Sequence, residues 1–300
     1  QYMIEAGLHK RPENFYITNP NMGASVSESW LVAEFFKAEQ NGEDSLRGFM
    51  SKHLNVEIGL NLRADRWAGA DYWEEQATTI TLDDIIERSD VVIVGGDGGG
   101  LDDLLGMAVL GRDKVSRYWL LWSYAWCHSI VLERRKQIAS RLLDFQKEGD
   151  LTIVDSVNED CQQFGAICGR LHQAGLLHQV ALDPLMLGGL LDGLSEGGIP
   201  RELIYEVKQG LMLAGYTQTT ERKLAGKQLW HGGSGLMAWC VGNAKMEIRG
   251  NNAVMTKQAS GKSKIDPVIA LLNAVALMSL NPESRGNFGN FTSNMIMVGV

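Results

Sequence analysis

Three aspartates occupy positions at which a carboxylate can take part in chemistry. Asp97 lies in a glycine-rich turn directly after the apolar run Val91–Val94. Asp183 ends a second apolar run, and Asp266 stands before a long apolar segment. A group of carboxylates repels itself unless a cation neutralises it. Mg²⁺ and Mn²⁺ prefer such oxygen ligands, and two of these ions about 3.5–4 Å apart can promote phosphodiester hydrolysis.

The elements that must position these acids are indicated by the hydrophobic pattern. Val91–Val94 is typical of a strand buried on both faces, and two further strand-like runs, Leu104–Leu110 and Tyr118–Trp126, suit antiparallel hairpins. Downstream, the pattern predicts helices over Ile130–Lys147 and Val157–His172, strands over Leu177–Leu182 and Leu203–Val207, a small helix ending at Leu194, a helix over Thr220–Lys227, a glycine-rich loop at His231–Gly235, a hairpin over Lys245–Lys257, and an apolar helix over Pro267–Leu280.

This order of elements resembles that of a ribonuclease H-like domain. The expected fold is α/β: a mixed sheet of three antiparallel strands and then parallel strands, flanked by helices. In such a sheet the first and central strands are neighbours and the last helix crosses their ends, so Asp97, Asp183 and Asp266 are expected to converge. The sheet is preceded by a mostly helical segment, with helical patches around Ser27–Glu39 and Leu46–His53, which is expected to be too thin to hold a core alone.

Each acid also has a structural interpretation. Asp183 and Asp266 are both followed by proline, as helix N-caps often are, and Asp97 could be an ordinary turn residue. Taken singly, the two N-cap interpretations are favoured. Taken together, the three positions favour catalysis, because one fold would bring all of them to one place.

Several neighbouring polar residues are secondary candidates. Asp103 begins the second predicted strand, and its hairpin could return it beside Asp97 as an auxiliary ligand. Asp102 is expected to face solvent. For His231 and Asn243, a structural hydrogen-bonding role is favoured over a catalytic one.

Three lysines lead into Asp266: Lys257, Lys262 and Lys264. They are candidates for contacts with DNA phosphates, although a lysine-rich loop is by default a solvated one. The chain has a net charge of −8, yet its last hundred residues are net basic. This asymmetry is compatible with a phosphate-binding face, although charge alone favours ordinary surface variation.

Composition limits the remaining classes. No apolar run approaches the roughly 20 residues that span a bilayer, so no membrane association is expected. The chain starts at Gln1 without a basic and apolar leader, which we interpret as a start inside a longer protein. The cysteines form no CxxC pair and are expected to be reduced, mostly buried thiols of a cytosolic protein: Cys127, Cys161, Cys168 and Cys240.

Beyond these features, the sequence resembles the large terminase subunit of tailed bacteriophages and prophages. The resemblance covers nearly the whole chain, and the three acids at this spacing are its most specific part. The matching motifs are Val94-Gly95-Gly96-Asp97 with Asp103-Leu104, Val180-Ala181-Leu182-Asp183, Leu229-Trp230-His231-Gly232 with Trp239 and Asn243, Lys264-Ile265-Asp266-Pro267 with Ala270-Leu271, and, upstream, residues 16–23 and 52–55.

The resemblance implies a packaging ATPase followed by a ribonuclease H-like nuclease that uses two divalent metal ions, Mg²⁺ or Mn²⁺. Residues 1–85 would be the C-terminal remnant of the ATPase domain and its linker, and residues 86–300 the nuclease domain. Asp97, Asp183 and Asp266 would be metal ligands, with Asp103 as a fourth acid. No Walker motif is present, so this chain alone is not expected to hydrolyse ATP.

The implied function is a metal-dependent endonuclease that cuts concatemeric double-stranded DNA during viral genome packaging. The implied partners are double-stranded DNA, a small terminase subunit and the portal protein, in the cytoplasm of the host bacterium. Two alternatives remain open. One is another ribonuclease H-like nuclease, of the resolvase or transposase type, and the other is a non-catalytic DNA-docking part of the packaging motor.

Overall fold

The chain divides between Arg66 and Trp67 into two units, Gln1–Arg66 and Trp67–Val300. The computed structural model describes residues 8–54, 66–249, 252–257 and 264–284. The predicted boundary at residue 85 lies further along the chain, because the intervening residues pack in the second unit. Trp67 and Trp73 are buried in its main core, and the Thr78 N–H donates to the His231 carbonyl at 2.8 Å.

In the part of the first unit that the structure describes there are two α-helices, α1 (Glu28–Gln40) and α2 (Glu43–Leu54). These match the two predicted helical patches, and the Ser27 hydroxyl caps α1 by accepting from the Trp30 N–H. The expectation that this stretch holds no core was wrong. A small aromatic-rich cluster is buried within it: Phe15, Leu31, Phe35, Ala38, Phe49, Met50 and Leu54.

The second unit is built from both helices and strands. In the described residues they are α3 (Ala70–Trp73), α4 (Leu82–Arg88), β1 (Ser89–Gly98), β2 (Leu104–Asp113), β3 (Trp119–His128), α5 (Ile130–Arg134), α6 (Lys136–Glu148), β4 (Leu151–Val154), α7 (Glu159–Gln173), β5 (Leu177–Leu182), α8 (Leu187–Glu196), β6 (Ile204–Glu206), α9 (Ala214–Ala225), β7 (Leu229–His231), α10 (Gly235–Asn243), β8 (Ala244–Arg249), β9 (Asn252–Lys257) and α11 (Asp266–Met278).

Seven of these strands form one mixed sheet. Its order is β4-β3-β2-β1-β5-β6, and β7 pairs with β3 as well. The pairs β1–β2 and β2–β3 are antiparallel, whereas β5 is parallel to β1 and β6 to β5. The predicted fold class, three antiparallel strands followed by parallel ones, is therefore confirmed. The remaining strands, β8 and β9, form a separate antiparallel hairpin.

The sheet is buried on both faces, as the unbroken apolar run in β1 predicts. Val92 and Val94 face one core, which includes α4, α7 and α8. Val91 and Ile93 face the other core, which α11 dominates. Every residue of α11 from Asp266 to Met278 is buried. This helix therefore lies in the interior of the second unit and packs against the sheet.

Several local predictions were wrong. The strands β4 and β7 were missed because each is only a few residues long. The predicted glycine-rich loop is present at Gly232–Ser234, although His231 already ends β7 and Gly235 begins α10. Helix α9 begins at Ala214 rather than at Thr220, because Thr217 and Thr220 each donate their hydroxyl to the carbonyl four residues earlier and so fit within a helix.

The four cysteines are free thiols, as predicted. Burial raises the pKa of Cys127 and of Cys161 to about 12, so neither thiol ionises near neutral pH. None of the helices in the described residues combines the length and the apolar character that crossing a membrane requires.

Candidate metal centre

Two of the three predicted site acids lie at adjacent strand ends. Strand β5 runs parallel to β1, with Gly95 opposite Ala181 and Gly96 opposite Leu182. Asp97 is the next residue of β1, and Asp183 directly follows β5. Parallel pairing therefore carries the two carboxylates, 86 positions apart in the sequence, to one edge of the sheet.

The third acid is brought to the same edge by the close approach of α11 to β1 and β2. A Cβ atom at Gly95 would lie 1.9 Å from the Ala270 carbonyl oxygen, and one at Gly106 would lie 2.6 Å from the Pro267 nitrogen. Only glycine fits at these two positions, because the contacts are with backbone atoms that cannot move aside. The glycines at these two positions thus allow α11 to pack closely on β1 and β2.

The position of Asp266 bears on its predicted N-cap alternative. Asp266 is the first helical residue of α11, and the N-cap position belongs to Ile265, whose side chain makes no capping bond. The N-cap interpretation of Asp266 was therefore wrong.

Asp97, Asp183 and Asp266 line one cavity of about 260 Å³. Its other walls are formed by Gln209, Gly210, Leu213, Met255, Ile265 and Ile269. Among the described residues, no three His, Cys, Asp or Glu side chains are gathered tightly enough to form a ready-made metal site. The three carboxylates therefore line the same cavity, which we call the acid pocket, but they are not close enough together to form a metal site as they stand.

The electrostatics of the acid pocket are governed by burial and by carboxylates that lie close together. Burial is the largest cause that raises the pKa of Asp97 well above its ordinary value, and the nearby Asp266, Asp183 and Asp103 carboxylates raise it further. A hydrogen bond from the Gly98 N–H acts in the opposite direction. The ionised form of Asp97 is therefore unfavourable in the metal-free protein.

A hydrogen bond of Asp183 supports its structural interpretation. Its Oδ1 accepts a hydrogen bond from the Leu185 N–H at 2.8 Å, in the 3₁₀ turn Pro184–Met186 that follows. Asp183 was predicted as a possible helix N-cap, and the hydrogen bond observed instead caps this 3₁₀ turn. The structural role and the predicted metal-binding role therefore involve the same carboxylate.

Asp103 lies near the acids but is held by a lysine. Lys264 is only 2% exposed. Its ammonium forms a short ion pair with the Asp103 carboxylate and donates to the Asp102 carbonyl at 3.1 Å. Lys264 does not fit the predicted contact with DNA phosphates, because its charge is buried and paired. Asp103 contributes to the pocket's negative field without being one of its walls.

Of the remaining candidate site residues, Asp102 and Asn243 have structural roles, and the side chains of Lys257 and Lys262 are not described. Asp102, expected to face solvent, is about half-buried and forms a two-pronged ion pair with Arg135, at 3.1 and 2.7 Å. The Asn243 amide donates to the Lys264 carbonyl at 3.1 Å and so fixes the chain that leads to Asp266. Lys262 lies outside the described residues, and Lys257 ends β9 with a side chain that is not described.

His231 is buried in a structural environment. Its Nε2 lies 2.7 Å from the Trp73 carbonyl, its Nδ1 accepts from the Gly233 N–H, and its ring stacks on the Trp73 ring with centroids 4.0 Å apart. Burial lowers its pKa to about 4. The ring is therefore neutral near pH 7, with Nε2 donating to the carbonyl.

A hydrogen-bond chain that sequence reasoning missed connects the acid pocket to β1. Asn273 of α11 is fully buried, and its amide donates to the Gly96 carbonyl at 2.9 Å, directly before Asp97. Its Oδ1 accepts from Gln209, a pocket wall, at 3.0 Å, and Gln209 also donates to the Val207 carbonyl. The signal for Asn273 was available: it is the lone polar side chain within Val268–Met278.

Comparison with known proteins defines the class to which this fold and pocket belong. Residues 5–281 match the family described as the terminase large subunit, endonuclease domain. This match spans well over half of the sequence, so the chain belongs to the terminase large-subunit endonuclease family, and the predicted resemblance is confirmed.

Individual relatives are distant and longer than this chain. It is similar to Protein YmfN of Escherichia coli (strain K12), with 22% identity over 276 residues, which cover 88% of this chain and 59% of YmfN. The HK97 bacteriophage large terminase matches with a TM-score of 0.59 and 18% identity, over 92% of this chain and 56% of that one. The chain thus spans somewhat more than half the length of these relatives.

A third comparison is with the large terminase nuclease of thermophilic phage G20c, crystallised with bound magnesium. The TM-score is 0.45 at 12% identity, over 71% of this chain and 98% of that chain. This chain shares its fold with the HK97 large terminase.

Proposed function

We propose that this chain carries the metal-dependent endonuclease of a viral DNA-packaging terminase and cuts concatemeric double-stranded DNA. The observation that carries the proposal is the acid pocket, in which β1, β5 and α11 place three carboxylates on the walls of one cavity. Membership of the terminase endonuclease family supports the same reaction class.

The donor set fits a hard divalent cation, Mg²⁺ or Mn²⁺, since carboxylate oxygens are the ligands these ions prefer. Asp97, Asp183 and Asp266 would hold two such ions, and Asp103 would add negative charge from its place beside Lys264. When bound, the ions would lower the pKa of an attacking water and stabilise the leaving oxygen of the phosphodiester. The raised pKa of Asp97 supports this assignment, because a bound cation would favour the ionised form that burial and the neighbouring carboxylates disfavour.

The chain's own residues would keep the carboxylates in a fixed arrangement. Asp97 is held by its strand and by the Asn273 bond to the preceding Gly96 carbonyl. Asp266 is fixed at the start of a fully buried helix. A rigid donor set needs little reorganisation during the reaction, which favours catalysis.

DNA would be bound mainly through its phosphates. Lys257 and Lys262 remain the proposed phosphate contacts, in a C-terminal third that is net basic. Phosphate contacts position a duplex without reading its bases, so we expect little sequence preference in the cut.

The packaging context is part of the proposal. The first unit and the residues up to 85 would be the end of a packaging ATPase domain and its linker, and ATP hydrolysis is not assigned to this chain. The small terminase subunit and the portal protein would be partners, in the cytoplasm of the host bacterium.

One observation favours a second candidate, a non-catalytic DNA-docking role. The Asp183 carboxylate already accepts a hydrogen bond from the turn that follows it, as a purely structural acid would. Loss of cleavage on neutralising this side chain separates the two candidates.

Plasmid cleavage is the direct test. The purified chain is incubated with supercoiled plasmid in Mn²⁺, in Mg²⁺ and in excess EDTA. We expect nicking and linearisation with either ion, none in EDTA, and recovery when Mn²⁺ is restored in excess. Undiminished cutting in EDTA contradicts the metal-dependent reaction, and absence of cutting with either ion contradicts the nuclease assignment.

A further inference from the structure

A second cavity, of about 400 Å³, is lined by residues that closely follow Asp97 and Asp183 in the sequence. Gly98, Gly99 and Gly100 follow Asp97 and line this cavity, which we call the side cavity. Leu185 lies two residues after Asp183 and lines it as well. The side cavity is thus lined by residues that lie close to Asp97 and Asp183 in the sequence, at the ends of β1 and β5.

Three large apolar side chains that line the side cavity are exposed to solvent. Leu185 is 93% exposed, Val157 67% and Leu101 44%. All three line the same cavity. A concentration of exposed apolar groups around one concave site indicates a binding surface.

Leu185 is also fixed with respect to the acids. Its N–H donates to the Asp183 carboxylate at 2.8 Å, so the position of its backbone is tied to a predicted site residue. Its side chain projects into solvent, whereas its backbone is held. An exposed leucine on a held backbone is suited to insertion between neighbouring bases, as apolar wedges of DNA-bending proteins do.

The side cavity also carries polar groups among its apolar walls. Asn158 lines it, with a left-handed backbone (φ 74°) at the N-cap of α7, and its side chain makes no capping bond. The His128 ring is held on both nitrogens, by the Asp155 carbonyl at 2.6 Å and the Ile130 N–H at 3.2 Å. An amide carries both donors and an acceptor, so Asn158 can pair with the edge of any base.

We propose that the side cavity receives an unstacked nucleobase of the strand being cut, and that Leu185 is the wedge that separates this base from its neighbour. The volume lies within the range of roughly 300–1,000 Å³ that is usual for small-molecule sites. An apolar wall for the base face and an amide for its edge are what a pocket for an extruded base requires. This inference rests on the proposed nuclease function.

The site predicts a substrate preference. Unstacking a base from an intact duplex requires free energy, and less is needed where the base is already unpaired. The chain should therefore cut a duplex with a short unpaired bubble at the cut site faster than the matched, fully paired duplex. The wedge should matter on the paired duplex and much less on the bubble.

The test compares Leu185→Ser with Val115→Ser. Val115 is a matched control, since it is 85% exposed and its N–H likewise donates to an aspartate two residues earlier, Asp113, at 3.0 Å. End-labelled paired and bubble duplexes of one sequence are cut in Mn²⁺ by the whole chain. We expect Leu185→Ser to lose roughly tenfold on the paired duplex, which corresponds to about 1.4 kcal/mol in the barrier. The loss on the bubble should be within twofold, and Val115→Ser should match the parent on both.

A second readout follows the base itself. 2-Aminopurine fluoresces more strongly when it is unstacked, and it is placed beside the cut site with Ca²⁺ in place of Mn²⁺. The parent chain should raise its fluorescence, Leu185→Ser should not, and Asn158→Gly, which retains the left-handed backbone, should raise it less.

The outcomes separate the two proposals. A parent chain that cuts neither duplex contradicts the nuclease function. A parent that cuts both, with Leu185→Ser equal to it on both or reduced equally on both, contradicts the side-cavity proposal alone. Fluorescence that the parent leaves unchanged also contradicts the side-cavity proposal.

Discussion

The two ends of β1 hold the same kind of side chain under opposite electrostatic conditions. At the beginning of the strand, Asp90 receives two hydrogen bonds from Arg112, at 2.9 and 3.0 Å, and an ion pair from Arg117. Burial acts to raise the pKa of Asp90, but the bonds from the two arginines outweigh it, and the pKa lies below its ordinary value. At the other end, burial and then the neighbouring carboxylates raise the pKa of Asp97 well above that value.

This difference shows that the fold favours the ionised form of Asp90 and disfavours that of Asp97. The sheet supplies cations at the Asp90 end, so that the carboxylate stays ionised and stabilises the fold. At the Asp97 end it supplies further carboxylates. Strongly perturbed groups of this second kind are concentrated at functional sites.

The largest expected effect is on cleavage by Asp97→Asn. Asparagine leaves a neutral carbonyl where an anionic oxygen would hold the cation, so plasmid nicking should fall by more than roughly a hundredfold. The Tm in EDTA should not fall, because the substitution removes an unfavourable buried charge. Asp144→Asn, which changes an exposed aspartate of α6, should cut at the parent rate. A nicking rate for Asp97→Asn within twofold of the parent contradicts the account of this end of β1.

The opposite result is expected for Asp90→Asn. Removing this carboxylate leaves Arg112, only 5% exposed, without its ionic partner. The free energy of unfolding should fall by about 3 kcal/mol, as measured by urea titration, while folded molecules still cut DNA. The pKa of Asp90 is lower in the folded state, so its contribution is present above the unfolded pKa of about 3.9 and is lost as the pH falls through the folded pKa. Equal stability of variant and parent at pH 7 contradicts the structural role.

Metal binding should stabilise the protein through the Asp97 end alone. At a Mn²⁺ concentration about 100 times the Kd, the gain is about 2.7 kcal/mol, or roughly 5–10 °C in Tm for a domain of this size. Differential scanning fluorimetry should show this shift for the parent and for Asp90→Asn, and should show almost none for Asp97→Asn. A Tm of the parent that Mn²⁺ leaves unchanged contradicts metal binding at the acid pocket.

The smallest effect is expected from the neutral hydrogen bonds that position the acid end. Gln209→Met keeps the length of the side chain and removes its bonds to Asn273 and to the Val207 carbonyl. A net loss of about 1 kcal/mol should raise the Mn²⁺ Kd about fivefold in calorimetry. Gln173→Met, at the exposed end of α7, is the matched control. If Gln209→Met binds Mn²⁺ with the affinity of the parent, the hydrogen bonds of Gln209 and Asn273 do not position the acids.

The acids could be predicted from the sequence because their signals are local. A β-branched apolar run ends before Asp97, a second apolar run ends at Asp183, and Asp266 begins a helix whose apolar character is unbroken except at Asn273. The order of these elements was enough to propose the sheet, and the sheet was enough to propose their convergence.

What the sequence could not show depends on contacts between distant residues. Lys264 reads as a solvated lysine in a basic loop, and only the folded chain places it on Asp103. Gln209 has no local signal, since its role comes from Asn273 on another element. The strands β4 and β7 are too short for a periodic pattern, and they form because β3 offers them an edge.

The most direct test of the central claim is the nicking rate of Asp183→Asn beside that of the parent in Mn²⁺. Asparagine caps a turn about as well as aspartate, so the bond from the Leu185 N–H survives and the variant should remain folded. If the carboxylate belongs to a metal-dependent nuclease site, nicking is lost while the Tm in EDTA is maintained. If Asp183→Asn nicks plasmid at the parent rate, Asp183 is a structural cap, and the acid pocket is not the active site.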